Sequence, residues 1–273
     1  MSAPLDSIRL DYSSISKFVD SLQAEGRYSF LRDEALAKMQ VSAEAFKKAV
    51  ARLVAKRRVA MPKRGFYVVV PIEYRSAGAP PPSWFIDDLM HRLGRQYYVG
   101  LLSASALYGA AHQQPQEFQV VTDRPERPII VGRGRIRFVV KRNIKLTLTT
   151  EVRTETGTMR VSTPETTAFD LVRYISAAAG IGNVATVLAE LAERINPQRL
   201  VEAARIDGEL AHVQRLGYLL CHVGAKKQSK VLADWLMTMH PRRVPLRAGR
   251  LVHGRPTDPR WRVIVNEEIE AEL

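Results

Sequence analysis

"AKRRVAMPKRGFYVVVP", residues 55–71, decides how this chain is read. Lys56, Arg57 and Arg58 stand where a helix would end. Lys63 and Arg64 sit between a proline and a glycine, and an aromatic, valine-rich run follows. Two short runs of strand composition, 59–61 and 66–70, flank "PKRG", which predicts a hairpin with a four-residue loop. Positive charge is thus expected at the end of one element and at the tip of the next, an arrangement suited to an extended polyanion.

Upstream, residues 42–58 fit a helix with Ser42 as N-cap and Glu44 in its first turn. On a wheel of about 100° per residue, Phe46, Val50, Leu53 and Val54 cluster on one face. Lys48 and Arg52 fall opposite them, with Glu44, Ala51 and Ala55 nearby and Lys47 at the flank. Small alanines between the cations let a backbone approach a groove. The connection "QVS" (40–42) is tight. Before it, Ser29 is expected to cap a helix carrying Leu31, Ala35, Leu36 and Met39. Ile15, Phe18, Val19 and Leu22 mark a first helix closed by Gly26. Helix, short turn, basic helix and charged hairpin together predict a winged helix-turn-helix that meets double-stranded DNA. Lys48 and Arg52 are the candidates for base edges. Lys47, Lys56, Arg57, Arg58, Lys63 and Arg64 are the candidates for phosphates. From 42 to 64 there are eight basic residues and one acid. The competing reading is a solvated basic face. Agreement among spacing, turn, hairpin and charge favours DNA.

Downstream, "SAGAPPPS" (76–83) contains three consecutive prolines and reads as a break. The expected organisation is a winged-helix domain over 1–76, a Pro-rich linker over 77–83 and a larger domain over 84–273. That larger part opens with helical "SWFIDDLMHRLG" and "YYVGLLSASALYGAA". A β section follows, then a helix capped at Thr163 with Ala168, Leu171, Val172 and Ile175 on one face. More amphipathic helices succeed it, and "RWRVIVN" near the end alternates like a strand. Strands followed by helices predict an α+β fold, a mixed sheet with a helical bundle. Between Arg127 and Thr150 lie seven basic residues and no acid. In "RIRFVVKR", Arg135, Arg137 and Lys141 are expected on one strand face and Ile136, Phe138 and Val140 on the other. With Arg133 they form either a solvated sheet surface, the favoured reading, or an auxiliary patch for an acidic partner or nucleic acid.

Composition bounds the rest. Of 273 residues 46% are hydrophobic, enough for a sizeable core. The net charge of +13 points to a polyanionic partner. One cysteine, Cys221, excludes an internal disulfide framework. The N-terminus shows no signal-peptide pattern, and no run reaches the roughly 18 apolar residues of a membrane span, so a cytoplasmic protein without membrane contact is expected. The histidines (91, 112, 212, 222, 240, 253) show neither HExxH nor metal spacing. His212 and His222 read as packed helix residues and Cys221 as core. Asp87 and Asp88, neighbours on a helix, point about 100° apart and would not share a metal easily. "VGLLSASALYG" resembles the Gly-Ser opening of a nucleotidyltransferase but lacks a downstream Asp-x-Asp. No catalytic residue, metal site or cofactor is assigned.

Taken together, "KRGFYVVVP", "VSTPETTAFDLVRY" (161–174), "HVQRLGYLL" (212–220) and "RWRVIVN", in this order and spacing, make the chain resemble the AbiEi family of antitoxins from type IV toxin–antitoxin systems. The resemblance implies a winged helix that binds inverted repeats in its own promoter and represses the operon. It also implies a C-terminal domain that neutralises a nucleotidyltransferase-like toxin, a stable complex not being required. Carried onto this sequence, the DNA role falls on Lys47, Lys48, Arg52, Lys56, Lys63 and Arg64. The matching C-terminal motifs read as packing: Thr163-Pro164 a helix start, Leu171, Leu216 and Leu220 core, Asp170 a structural hydrogen-bond partner. Two alternatives stay open: a nuclease targeted by a winged helix, and an RNA-binding regulator using the 127–150 run.

Overall fold

The computed structural model describes residues 14–110 and 115–270; His112 lies outside them. The chain forms two compact units. One comprises residues up to Gly94 together with Pro128–Ile136 and Arg153–Thr158; the other holds Arg95–Arg127, Arg137–Val152 and the chain from Met159 onward.

The first unit begins α1 (Ile15–Ala24), β1 (Ser29–Leu31), α2 (Arg32–Met39), α3 (Ala43–Ala55), β2 (Val59–Lys63) and β3 (Phe66–Val69). Its sheet runs in the order β1-β3-β2, antiparallel throughout. This is the expected winged helix-turn-helix, with a third strand that has no counterpart in the sequence reading. Ser29 does not cap α2. It lies in β1 opposite Val68, and its Oγ donates to Asp88 at 2.5 Å. Phe30 pairs with Tyr67 across the sheet, so strand pairing overrides the capping preference, and α2 starts from Leu31 without a side-chain cap. Gly26, in left-handed geometry (φ 71°), follows the end of α1 as expected. The core is aromatic. Phe18 packs edge-on to Phe30 at 5.3 Å. Phe30 stacks on Tyr67 at 5.2 Å, and Phe46 meets the same tyrosine edge-on at 5.7 Å. Such geometries add to area burial because ring edges are electropositive and faces electronegative.

The remainder of this unit includes α4 (Ile86–Arg92). Residues 77–83, expected as a spacer, fold within it. Arg133 N donates to Ala77 O at 2.8 Å, and Gly132 (φ 55°) approaches so closely that a Cβ there would lie 2.2 Å from Ala77 O. Trp84 meets Tyr28 and Tyr74 edge-on at 4.8 and 5.3 Å.

The chain continues through β4 (Tyr97–Val99), α5 (Leu101–Leu107), β5 (Phe118–Thr122), β6 (Ile129–Val131), β7 (Gly134–Val140), β8 (Thr149–Thr154) and β9 (Gly157–Ser162). Six strands form one sheet in the order β6-β7-β5-β4-β9-β8. It is mixed, with β4 antiparallel to β5 and parallel to β9. The expected helix over "YYVGLLSASALYGAA" is shorter than its pattern. Tyr97–Val99 is strand, because two strands pair with it, and helix begins only after Gly100. A Cβ at Gly100 would lie 2.9 Å from Val121.

Helices α6 (Pro164–Arg173), α7 (Ile181–Leu191), α8 (Pro197–Asp207), α9 (Leu210–His222) and α10 (Lys226–Met237) build the bundle. Thr163 caps α6, accepting from Thr166 N at 3.4 Å, and Asn196 caps α8. Leu171, Leu216 and Leu220 are fully buried, as read from sequence. A small sheet closes the unit: β10 (Val244–Pro245) runs parallel to β12 (Val263–Ile264), and β11 (Thr257–Asp258) antiparallel. Only 263–264 of "RWRVIVN" is strand. Trp261 is buried and seats its indole on α9, where a Cβ on Gly217 would lie 2.0 Å from the ring. Cys221 and His222, expected in the core, are exposed. They lie off the buried face of α9 that carries Leu216, Leu219 and Leu220, and Cys221 Sγ accepts from Trp261 Nε1 at 3.3 Å.

Candidate nucleic-acid interface

Helix α3 owes its start to Ser42, whose Oγ accepts from Ala45 N at 3.2 Å. The preceding turn is made possible by Gln40 in the left-handed region (φ 53°). Phe46, Val50 and Leu53 are buried in the winged-helix core. Val54, expected with them, is 41% exposed. That narrows the apolar stripe and widens the solvent face, which holds Ala45, Lys47, Lys48, Ala51, Arg52, Ala55 and Lys56. Lys48, Arg52 and Lys56 stand four apart and therefore form one row along the helix. Lys48 pairs with Glu44 at 2.8 Å, both highly exposed; solvent-exposed pairs of this kind are weak and yield readily to a stronger anion.

The helix ends at Ala55 rather than running to residue 58. Arg57 adopts a left-handed conformation (φ 52°) and reverses the chain into β2. Lys56 and Arg57 are exposed, but Arg58 is not a free phosphate contact. Its guanidinium is engaged by Asp20 and by Ser16 Oγ of α1, so it ties this corner to the first helix. The hairpin is tighter than the four-residue loop read from sequence. β2 extends through Lys63, leaving Arg64 and Gly65 (φ 79°) at the tip. Pro62 is accommodated because β2 is an edge strand with an irregularity between Ala60 and Lys63. Arg64 is exposed and Lys63 half-buried.

The second basic run is divided between the two units. Arg133 and Arg135 belong to the first unit, and Arg135 is exposed. Arg137, in the second, contacts Glu117 at 3.3 Å. Lys141 is 6% exposed, with Nζ 2.9 Å from Asp170 Oδ1. Strand β7 stops at Val140, which breaks the alternation that would have turned Lys141 outward.

Asp170 also accepts from Tyr98 Oη at 2.7 Å, the structural role read for it. Burial, and then the Asp170 charge, push the Tyr98 phenol well above its ordinary value. Burial, and then Glu165, raise Tyr108 to about 12. His212 is a packed residue as expected, with Nδ1 2.8 Å from Asp207 Oδ2. Burial pushes the Asp207 carboxyl up, but the His212 hydrogen bond and the His212 and Arg173 charges outweigh it and hold the group below its usual value. A carboxyl depressed on folding contributes stability above its unfolded pKa and loses it as pH falls through the folded one. Asp207→Asn is therefore expected to destabilise the protein at neutral pH. The gap from wild type in urea midpoints should close as pH drops below the carboxylate range; a gap constant with pH would contradict the charge-based role.

One feature has no sequence signal. A cleft of about 500 Å³ in the second unit is lined by Arg137, Arg173, Arg215 and Arg247, which come from four separate segments. Among the described residues no three His, Cys, Asp or Glu side chains gather as metal ligands would, and no helix is long and apolar enough to cross a membrane.

The fold has a solved counterpart in the RV2827C protein from Mycobacterium tuberculosis. The TM-score is 0.67 at 14% identity, covering 91% of this chain and 89% of that one. At this identity the likeness concerns architecture alone. No curated protein matches the sequence. Residues 98–222 match the family model of the AbiEi antitoxin C-terminal domain. That span runs from β4 through α9 and takes in both "VSTPETTAFDLVRY" and "HVQRLGYLL", and over it the chain is similar to the C-terminal domain of AbiEi antitoxins.

Proposed function

We propose that this protein is an antitoxin and the cytoplasmic autorepressor of a type IV system. It binds inverted repeats in its own promoter through the winged helix, and it neutralises a nucleotidyltransferase-like toxin without a catalytic step of its own. The observation that supports the DNA reading is the exposed row Lys48, Arg52 and Lys56 on a capped helix that leads into a hairpin tipped by Arg64. A helix of this kind fits the major groove, and the hairpin fits an adjacent backbone or minor groove. Lys47, Lys56, Arg57, Lys63 and Arg64 take phosphate positions.

The hairpin has its own test. Lys63→Ala with Arg64→Ala is expected to weaken binding to every duplex alike. It should also flatten the log–log dependence of affinity on salt by about 0.9 for each phosphate no longer neutralised. A slope equal to wild type would take the tip off the DNA. The division of labour is checked by co-expression with the toxin: full-length protein carrying Lys48→Ala and Arg52→Ala is expected to lose repression and keep neutralisation. Joint failure of both functions in a protein of unchanged melting temperature would overturn the separation.

A further inference from the structure

We propose that the cleft lined by Arg137, Arg173, Arg215 and Arg247 in the second unit binds a small polyphosphate ligand of nucleoside triphosphate size. The assignment is independent of DNA binding by the winged helix.

Four arginines line the cleft, and among the described residues no Asp or Glu does. Three are partly engaged by acids outside the lining. Arg137 contacts Glu117 at 3.3 Å, Arg173 meets Asp207 at 2.9 Å and Glu209 at 4.0 Å, and Arg247 lies 3.7 Å from Glu267. Arg215 forms no salt bridge with a carboxylate among the described residues. Its Nε donates to Pro245 O at 2.9 Å. Burial lowers its pKa, an effect that the Glu209 charge offsets only in part. Arg173 adds a buried Nε with no hydrogen-bond partner. A half-buried guanidinium without a paired counter-charge costs free energy unless an anion arrives.

The cleft wall around Arg247 is braced. Asn266, 5% exposed, clamps the Arg247 backbone on both sides, its Oδ1 accepting from Arg247 N at 2.9 Å and its Nδ2 donating to Arg247 O at 2.9 Å. Ser176 Oγ accepts from the Arg247 side chain at 3.0 Å. Such support fixes donors before a ligand binds.

Val172, Ile175 and Leu246 line the same cleft, so an apolar surface adjoins the cations. About 500 Å³ falls within the usual small-ligand range of about 300–1,000 Å³. Planar guanidinium forks match phosphate oxygens two at a time, and a phosphate chain offers enough oxygens for four forks where one carboxylate side chain does not. A duplex backbone is convex and is met by protruding side chains, whereas these arginines are held back in a concavity.

The test is calorimetric titration of the full-length protein with ATP, GTP, inorganic tripolyphosphate and unphosphorylated adenosine. Wild type is expected to bind the three phosphorylated probes with one-to-one stoichiometry and not adenosine. Arg215→Gln should weaken binding about tenfold or more at an unchanged melting temperature, and Arg215→Lys should recover part of the affinity. Arg137→Gln, at a side chain that is 42% exposed, is a second variant should Arg215→Gln unfold. The Lys48→Ala and Arg52→Ala protein should bind the probes as wild type does, which separates this site from the DNA reading. Absence of binding by all three phosphorylated probes would overturn the proposal, as would binding indifferent to both glutamine variants. So would occupancy by polyglutamate or duplex DNA alone, which would give the cleft to an acidic protein or to a nucleic-acid backbone.

Discussion

Exchanging Lys48 and Arg52 for alanine is expected to abolish specific recognition of the promoter fragment in a gel shift, leaving only weak binding common to any duplex. Each well-made base contact is worth about 1–3 kcal/mol of discrimination, so removing two costs about 2–6 kcal/mol, or roughly 30-fold to more than 10⁴-fold in affinity ratio. Folding should be spared. Both side chains are exposed, Lys48 pairs with the equally exposed Glu44, and surface substitutions of this kind stay within about 0.5 kcal/mol. Alanine also favours helix. A double variant that still shifts promoter DNA in preference to an unrelated duplex would remove α3 from the groove and leave the winged helix without a reader.

The second large effect lies in the other unit. Lys141 and Asp170, 6% and 0% exposed, pair at 2.9 Å with Tyr98 donating to the same carboxylate and its ring 5.8 Å from Nζ. Removing one partner from a buried ion pair strands the other charge and costs about 3–5 kcal/mol. Asp170→Ala is therefore expected to lower stability by that amount in urea denaturation. Lys141→Met should do nearly as much, because it leaves the carboxylate with a single phenol donor. Lys141→Met combined with Asp170→Asn should cost less than the two singles together, since no unpaired charge remains. Strict additivity would mean that the pair is not a coupled buried charge.

What can be read from sequence follows from how far each signal reaches along the chain. Helix α3, its Ser42 cap and the charged hairpin are legible because every residue involved lies within a few positions of the others. Strand β1 is not. It is three residues long, and its partner Val68 lies far downstream, so local propensity offers only a helix cap at Ser29. Tyr97–Val99 is absorbed into a helical pattern for the same reason: its pairing partners in β5 and β9 are distant. Lys141 is misplaced because alternation predicts a face only while the strand lasts. Cys221 and His222 are misplaced because an apolar helix does not announce which side its neighbours will cover. The arginine cleft is invisible, since lone arginines at 137, 173, 215 and 247 carry no spacing until the fold gathers them.

Gly217 and Trp261 bear on the order in which the molecule is made. Among the described residues the buried cluster of the winged helix runs from Ile15 to Val69, so a ribosome has delivered those side chains while most of the polypeptide is still unwritten. Helix α9 has a notch cut for an indole that comes much later. Until Trp261 emerges, the notch stands open and the greasy flank around Leu216 and Leu220 lacks its cover. That flank of the bundle is therefore expected to stay open to chaperones and sticking until the residues around Trp261 have been made.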